Sequence, residues 1–330
     1  MKKTRHTLAL SAAGLATLAA LGVLLQRGGR LLPAADALTD ASRPWLALAA
    51  VAFLTAFACT VLAWHTVLRS AGAHICPRQA AARLGIGAMV NSFAPAKLGD
   101  AVKVALCSRA IDTPGRLWTA GGAYAALTAI RSLTLAALVV VASATGAMPL
   151  WPVFVLVGVA GAVVIGAFAS RTLRSHRHVA QILDGVGALA RSPRTFATAI
   201  SWTAGMQLAR VLGTIAVAAA LGVPHPLLAA LVILPALDVA GTIPLTPGSI
   251  GVGSGAVAVV LASQGIGMTQ AIAVGFAIQT VETLVSVSCG LSGLLYLMQP
   301  EARRVVGRVA AAGASAALAS LVGLAALGVF

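Results

Sequence analysis

Four ionisable side chains interrupt the long apolar runs of this sequence: Arg131, Arg210, Asp238 and Glu282. Charged groups are costly in hydrocarbon, so they usually face a cavity or a partner and mark a polar pathway. Two residues of each sign predict pairing. We expect Arg210 to pair with Glu282, and Arg131 to face Asp238 or a substrate phosphate. The alternative is a set of structural ion pairs that only hold helices together.

A polar segment, 91-NSFAPAKLGDAVK-103, is the second concentration of reactive side chains. Its candidate residues are Asn91, Pro95, Lys97, Gly99, Asp100 and Lys103. Pro95 stops a helix, and Asp100 suits the start of the next one as a capping residue. Lys97 and Lys103 would flank that helix start, where free backbone N–H groups favour a phosphate. The alternative is a basic loop that contacts lipid headgroups.

A second interrupted segment, 244-PLTPGSIGVGSG-255, follows Asp238. Its prolines and glycines break any helix. The candidate binding residues here are Pro247, Gly248, Gly251 and Ser254. Gly251 and Gly255 are also spaced for close packing between helices, which is the competing interpretation for these two glycines.

The elements that position these residues must be membrane helices. The chain is 59% hydrophobic and 9% charged, its mean hydropathy is +0.95, and its apolar runs are too long for barrel strands. This predicts an all-α, polytopic membrane protein. The net charge of +15 fits headgroup contacts better than nucleic acid, because no basic run is interleaved with aromatics.

The apolar runs predict full spans at about 8–25, 45–68, 117–143, 150–170, 199–221, 270–297 and 309–330. The first run could be a signal peptide, but no clean cleavage site follows it, so we expect an uncleaved span. Basic residues concentrate before the first span and at 69–83, 171–198 and 299–308, which predicts that these parts and the N-terminus are cytoplasmic. The middle of 171–198 suits an amphipathic interfacial helix.

That orientation requires both interrupted segments to enter and leave the membrane on one side. The segment near 80–109 would dip in from the cytoplasm and the segment near 227–265 from outside. The chain is then one domain, 1–330, with inverted units at about 45–143 and 199–297. Paired broken helices at corresponding places in two halves indicate a transporter's binding site. The alternative is that both segments are ordinary loops with marginal flanking helices.

The two interrupted segments together resemble the lysylphosphatidylglycerol synthase transmembrane family. The pattern N-x-x-x-P-x-x-x-G-D-x-x-K at 91–103 is similar to its "N…P…G-[DE]…R" motif, and 244-PLTPGSIGVGSGA-256 is similar to its "P…P-G-G-x-G…E" motif. The resemblance covers about 45–297. It implies a bacterial plasma-membrane protein that moves lipid headgroups between leaflets, here as a stand-alone member without the aminoacyl-transferase domain.

Some family positions differ in this chain. Ser254 stands where a Glu is common after the glycine-rich turn, and Ile130-Arg131 with Thr134 replaces a Glu-Arg followed by an Asp. Carboxylates that would recognise a cationic aminoacyl headgroup are therefore missing. We expect an anionic phospholipid or a polyprenyl-phosphate-linked headgroup instead.

Two other functions remain open at this stage. The protein could be an integral transferase for a lipid-linked sugar, with Asp100 as its carboxylate base. It could also be a non-catalytic partner of a separate synthase or glycosyltransferase. Nucleotide, zinc and hydrolase motifs are absent from the sequence, and we expect no catalytic residue, cofactor or metal.

Overall fold

The computed structural model describes residues 41–94, 98–112, 115–146, 154, 192–241 and 251–298. Within these ranges the chain forms helices and no strand. In chain order they are α1 (Arg43–Ser70), α2 (Pro77–Phe93), α3 (Leu98–Ser108), α4 (Arg116–Ala144), α5 (Pro193–Ala220), α6 (Pro226–Ala240), α7 (Val252–Ser263) and α8 (Met268–Leu297). The all-α prediction is confirmed for this part of the chain.

Proline begins several of these helices. It occupies one of the first two positions of α1, α2, α5 and α6. Proline is favoured there because its fixed φ suits the helix and its missing N–H would be unpaired anyway. At α5 the Ser192 hydroxyl also accepts from the Thr195 N–H at 3.4 Å, which caps the first turn. These local signals favour the observed starts of these four helices.

Four helices, α1, α4, α5 and α8, are long and apolar enough to cross a membrane, judged by length and composition. They match the spans predicted at 45–68, 117–143, 199–221 and 270–297. The other predicted spans, and the interfacial helix within 171–198, lie outside the described residues. The remaining described helices have 17, 11, 15 and 12 residues. At about 1.5 Å per residue these are shorter than a bilayer core of about 30 Å.

Two loop boundaries predicted from charge are wrong. Arg78 and Arg83 belong to α2 rather than to a loop ending at 83, and the loop predicted to end at 198 gives way to α5 at Pro193. The reason is the same in both places. A proline at the helix start and the good helix formers after it outweigh the basic residues, which helix surfaces tolerate.

The helices α2 and α3 form a pair that returns to its starting point, here called the first hairpin. The His74 N–H, before α2, donates to the Ala110 carbonyl, after α3, at 3.0 Å. Close to the connection between the helices, Gly87 and Gly99 pack backbone against backbone. A side chain at either glycine would overlap the other helix, so these glycines permit the hairpin to close.

The helices α6 and α7 form the second hairpin, at the opposite end of the bundle. Here the Ser42 N–H, before α1, donates to the Ala220 carbonyl at the end of α5 at 3.2 Å. Gln270, in the first turn of α8, donates to the Leu221 carbonyl at 2.8 Å. The chain therefore enters the second hairpin and leaves it close to the start of α1, whereas the first hairpin opens at the end of α1.

Each hairpin is held by its own apolar core. The first core joins α1, α2, α3 and α4 through residues such as Trp64, Leu84 and Ile130. The second joins α5, α6, α7 and α8 through residues such as Ile233 and Leu261. Large apolar side chains on the outer faces of the long helices stay exposed, as expected for surfaces that contact lipid.

Candidate functional site

A cavity of about 550 Å³ lies between the two cores. Its walls come from α1, α2, α4, α5, α6 and α8, with Asp100 and Lys103 contributed by α3. Half of the sequence-predicted site residues line it: Asn91, Asp100, Lys103, Arg131, Arg210, Asp238 and Glu282. The structure thus gathers residues of the first interrupted segment and the intramembrane charges around one space.

Arg210, Asp238 and Glu282 form a group that we call the ionic triad. Arg210 lies on α5, and its Nη1 donates to both oxygens of Asp238 at 3.0 Å. Its Nε lies 3.7 Å from Glu282 Oε1. The Arg210 and Asp238 side chains are only 11% and 12% exposed. The pairing of Arg210 with Glu282 predicted from sequence is confirmed, and Asp238 is the closer partner.

Arg131 reaches the same carboxylate from α4. Its Nη2 donates to Asp238 Oδ1 at 3.0 Å, and its side chain is 48% exposed. Of the two partners considered from sequence, Asp238 is the one it contacts. Asp238 therefore accepts from two arginines on different helices, which ties α4, α5 and α6 together at the cavity wall.

Asp100 is the centre of a second polar network, formed by the first hairpin and α4. Its Oδ1 accepts from Asn91 Nδ2 and Lys103 Nζ, each at 2.8 Å. Its Oδ2 accepts from the Tyr124 hydroxyl at 2.9 Å. Asp100 lies in the first turn of α3 as predicted, but these contacts direct its carboxylate to side chains. Lys103, proposed from sequence to meet a phosphate, is paired with Asp100 in this structure, and its contact with a phosphate stays a prediction.

The glycines of the two interrupted segments have separate roles. Gly99 packs against Gly87 and Asn91 and supports the cavity wall. Among the described residues, a Cβ on Gly251 or Gly255 would meet no atom within 4 Å, so close packing between described helices is not found at this pair. Gly251 has φ +94° immediately before α7, a conformation that favours glycine. Neither Gly251 nor Ser254 is among the residues found on the cavity wall.

Four predicted site residues, Pro95, Lys97, Pro247 and Gly248, lie outside the described residues. Most of the other lining residues were not predicted from sequence, and Tyr124 and Gln279 are two polar examples. Spacing could have found both. Tyr124 precedes Arg131 by two helical turns, and Gln279 precedes Glu282 by one, so each pair shares a face of its helix. The Tyr124 ring also packs on Trp64, with centroids 5.7 Å apart.

A polar, charge-paired cavity inside a bundle of apolar helices defines a multi-pass membrane protein with an internal polar site. The chain belongs to the family described as lysylphosphatidylglycerol synthase TM region, whose model matches residues 8–282. The match includes both interrupted segments and all the lining residues named above, and it confirms the resemblance seen in the motifs. No curated protein matches the sequence.

Proposed function

We propose that this protein moves a phosphate-bearing lipid headgroup, from a phospholipid or a polyprenyl-phosphate-linked lipid, between the leaflets of a bacterial plasma membrane. The central cavity is the observation that carries the proposal. A headgroup that crosses hydrocarbon must exchange its hydration for other polar partners. The cavity offers them near the middle of the long helices, from Thr128 and Arg131 on α4 to Glu282 and Ser286 on α8.

The positions of the two hairpins support a transport mechanism. Each is too short to cross, and they open at opposite ends of the bundle, as the contacts of His74 and Gln270 indicate. We propose that they are re-entrant segments of two inverted units, at about 45–143 and 199–297. In transporters of this design, rocking one unit against the other exposes a central site to each side in turn.

Cavity occlusion tests this function directly. Thr283 lines the cavity, whereas its neighbour Leu284 is 61% exposed on the outer face of α8. Thr283→Trp fills the cavity, and Leu284→Trp places the same side chain towards lipid. In proteoliposomes containing fluorescent phosphatidylglycerol, we expect wild type and Leu284→Trp to move the probe between leaflets and Thr283→Trp to stop it. Equal transport by both variants, or none by wild type, would refute the proposal.

The transferase alternative has less support. A general base needs a lone pair directed at the proton that it removes. Three of the four lone-pair sites of the Asp100 carboxylate are already used, by Asn91, Lys103 and Tyr124, which leaves one site on Oδ2. Incubation of the purified protein with a radiolabelled sugar donor and polyprenyl phosphate separates the two functions, because only a transferase yields labelled lipid.

A further inference from the structure

We propose that Arg131 is the residue that contacts the headgroup phosphate, and that Arg210 is a positioning residue that does not. Without substrate, Arg131 is hydrogen-bonded to Asp238, and an arriving anionic headgroup takes the place of the Asp238 carboxylate. This inference rests on the proposed lipid substrate and assigns its charge class and its first ligand.

The two arginines differ in how firmly they are held. Arg210 makes two hydrogen bonds to Asp238 and a further ionic contact to Glu282, and its side chain is 11% exposed. Arg131 contacts Asp238 through one hydrogen bond, from Nη2, and its side chain is 48% exposed. A headgroup entering the cavity can therefore reach Arg131 while Arg210 stays covered.

When Arg131 is released, Asp238 and Glu282 both remain in contact with Arg210. Asp238 keeps both of its contacts with Arg210 when Arg131 turns away. Removal of Arg210 from the ionic triad would instead leave Glu282 without its cation and Asp238 with Arg131 alone, which is unfavourable for buried charges. A freed Arg131 can present its planar guanidinium to two phosphate oxygens at once. The ionic triad thus lowers the free-energy cost of replacing Asp238 by a headgroup phosphate at Arg131.

The described charges around the cavity also indicate the class of headgroup. Three cations, Lys103, Arg131 and Arg210, balance three carboxylates, Asp100, Asp238 and Glu282. Every one of these carboxylates is in contact with a lysine or arginine. A cationic headgroup would have to displace a protein cation from its partner, whereas an anionic headgroup only has to displace Asp238 from the exposed Arg131.

Binding measurements on the full-length, detergent-solubilised protein test this inference. The probes are dihexanoyl phosphatidylglycerol, dihexanoyl phosphatidylcholine and glycerol 3-phosphate, and the readout is the ligand-induced shift in thermal unfolding. Arg131→Gln should weaken phosphatidylglycerol binding by about tenfold to hundredfold, the equivalent of one lost charge-assisted hydrogen bond. The affinity of Arg131→Lys for phosphatidylglycerol should lie between those of the wild type and Arg131→Gln. Lysine keeps the positive charge but lacks the paired N–H donors of the planar guanidinium. Arg116→Gln, at an exposed position on the same helix, should bind as wild type.

Asp238→Asn supplies the opposite prediction. Loss of the competing charge should strengthen phosphatidylglycerol binding severalfold, whereas a carboxylate that itself bound substrate would show weaker binding on this change. Phosphatidylglycerol binding that is unchanged in both Arg131 variants, weaker binding in Asp238→Asn, or an equal response to phosphatidylcholine would each overturn the inference.

The glycerol 3-phosphate arm separates this inference from the proposed function. If glycerol 3-phosphate binds as tightly as the lipid and needs Arg131, then Arg131 is an anion ligand and the lipid origin of the anion is wrong. If phosphatidylglycerol binds through Arg131 but is not transported in proteoliposomes, the ligand assignment stands and the translocase function falls.

Discussion

Loss of Arg210 should destabilise the protein more than loss of any other charge around the cavity. In Arg210→Met the two oxygens of Asp238 lose their contacts at 3.0 Å, and Glu282 loses its contact at 3.7 Å. Removal of one partner from a buried ion pair costs about 3–5 kcal/mol in free energy of unfolding. The Glu282 side chain is 33% exposed to the cavity, where water screens it, so we expect a value near the lower end, about 3 kcal/mol.

A second substitution shows where that energy comes from. Arg210→Met with Glu282→Met removes the carboxylate left without a cation, while Asp238 keeps its bond to Arg131 at 3.0 Å. The double variant should lose less free energy of unfolding than the two single substitutions added together. The difference should be about 0.5–3 kcal/mol, the usual coupling between contacting residues.

Unfolding in mixed micelles, titrated with a denaturing detergent, measures these free energies. Arg194→Met is the matched control, because Arg194 lies on the same helix at an exposed position, and it should change stability by less than about 0.5 kcal/mol. The reasoning is refuted if Arg210→Met unfolds at the same fraction of denaturing detergent as the wild type. It is also refuted if the effects of the two substitutions simply add in the double variant.

Two further predictions concern packing and orientation. A Cβ on Gly290 would overlap the Met89 side chain, so Gly290→Ala should destabilise the α2–α8 contact by about 1–3 kcal/mol. Gly121→Ala is the control: no atom of the described residues lies within 4 Å of a Cβ there, so this variant should be neutral or more stable. Equal effects of the two substitutions in the same micelle titration would contradict this. Cys76 is exposed at the open end of the first hairpin and Cys107 is buried, so a membrane-impermeant maleimide should label Cys76 in inverted vesicles and not in intact spheroplasts, and labelling from outside would reverse the proposed orientation.

The sequence predicted the helices well because the signals involved are local. Apolar runs long enough to cross a bilayer located α1, α4 and α8 to within about two residues at each end, and α5 except for its first turns. It also predicted that charges within those runs would pair, because an isolated charge there is too costly. It failed at Arg78 and Arg83, where charge was taken as evidence for a loop.

The sequence alone determined that this is an all-α membrane protein of one family, with two interrupted helical segments and a few charges that must be satisfied internally. Only the tertiary structure decided the partners. Asp238 joins Arg131 and Arg210 across separations of 107 and 28 residues, and no local pattern encodes such contacts. The structure also separated an exposed Arg131 from a covered Arg210. Burial depends on how the helices pack around the cavity, and that arrangement distinguishes two arginines that look equivalent in the sequence.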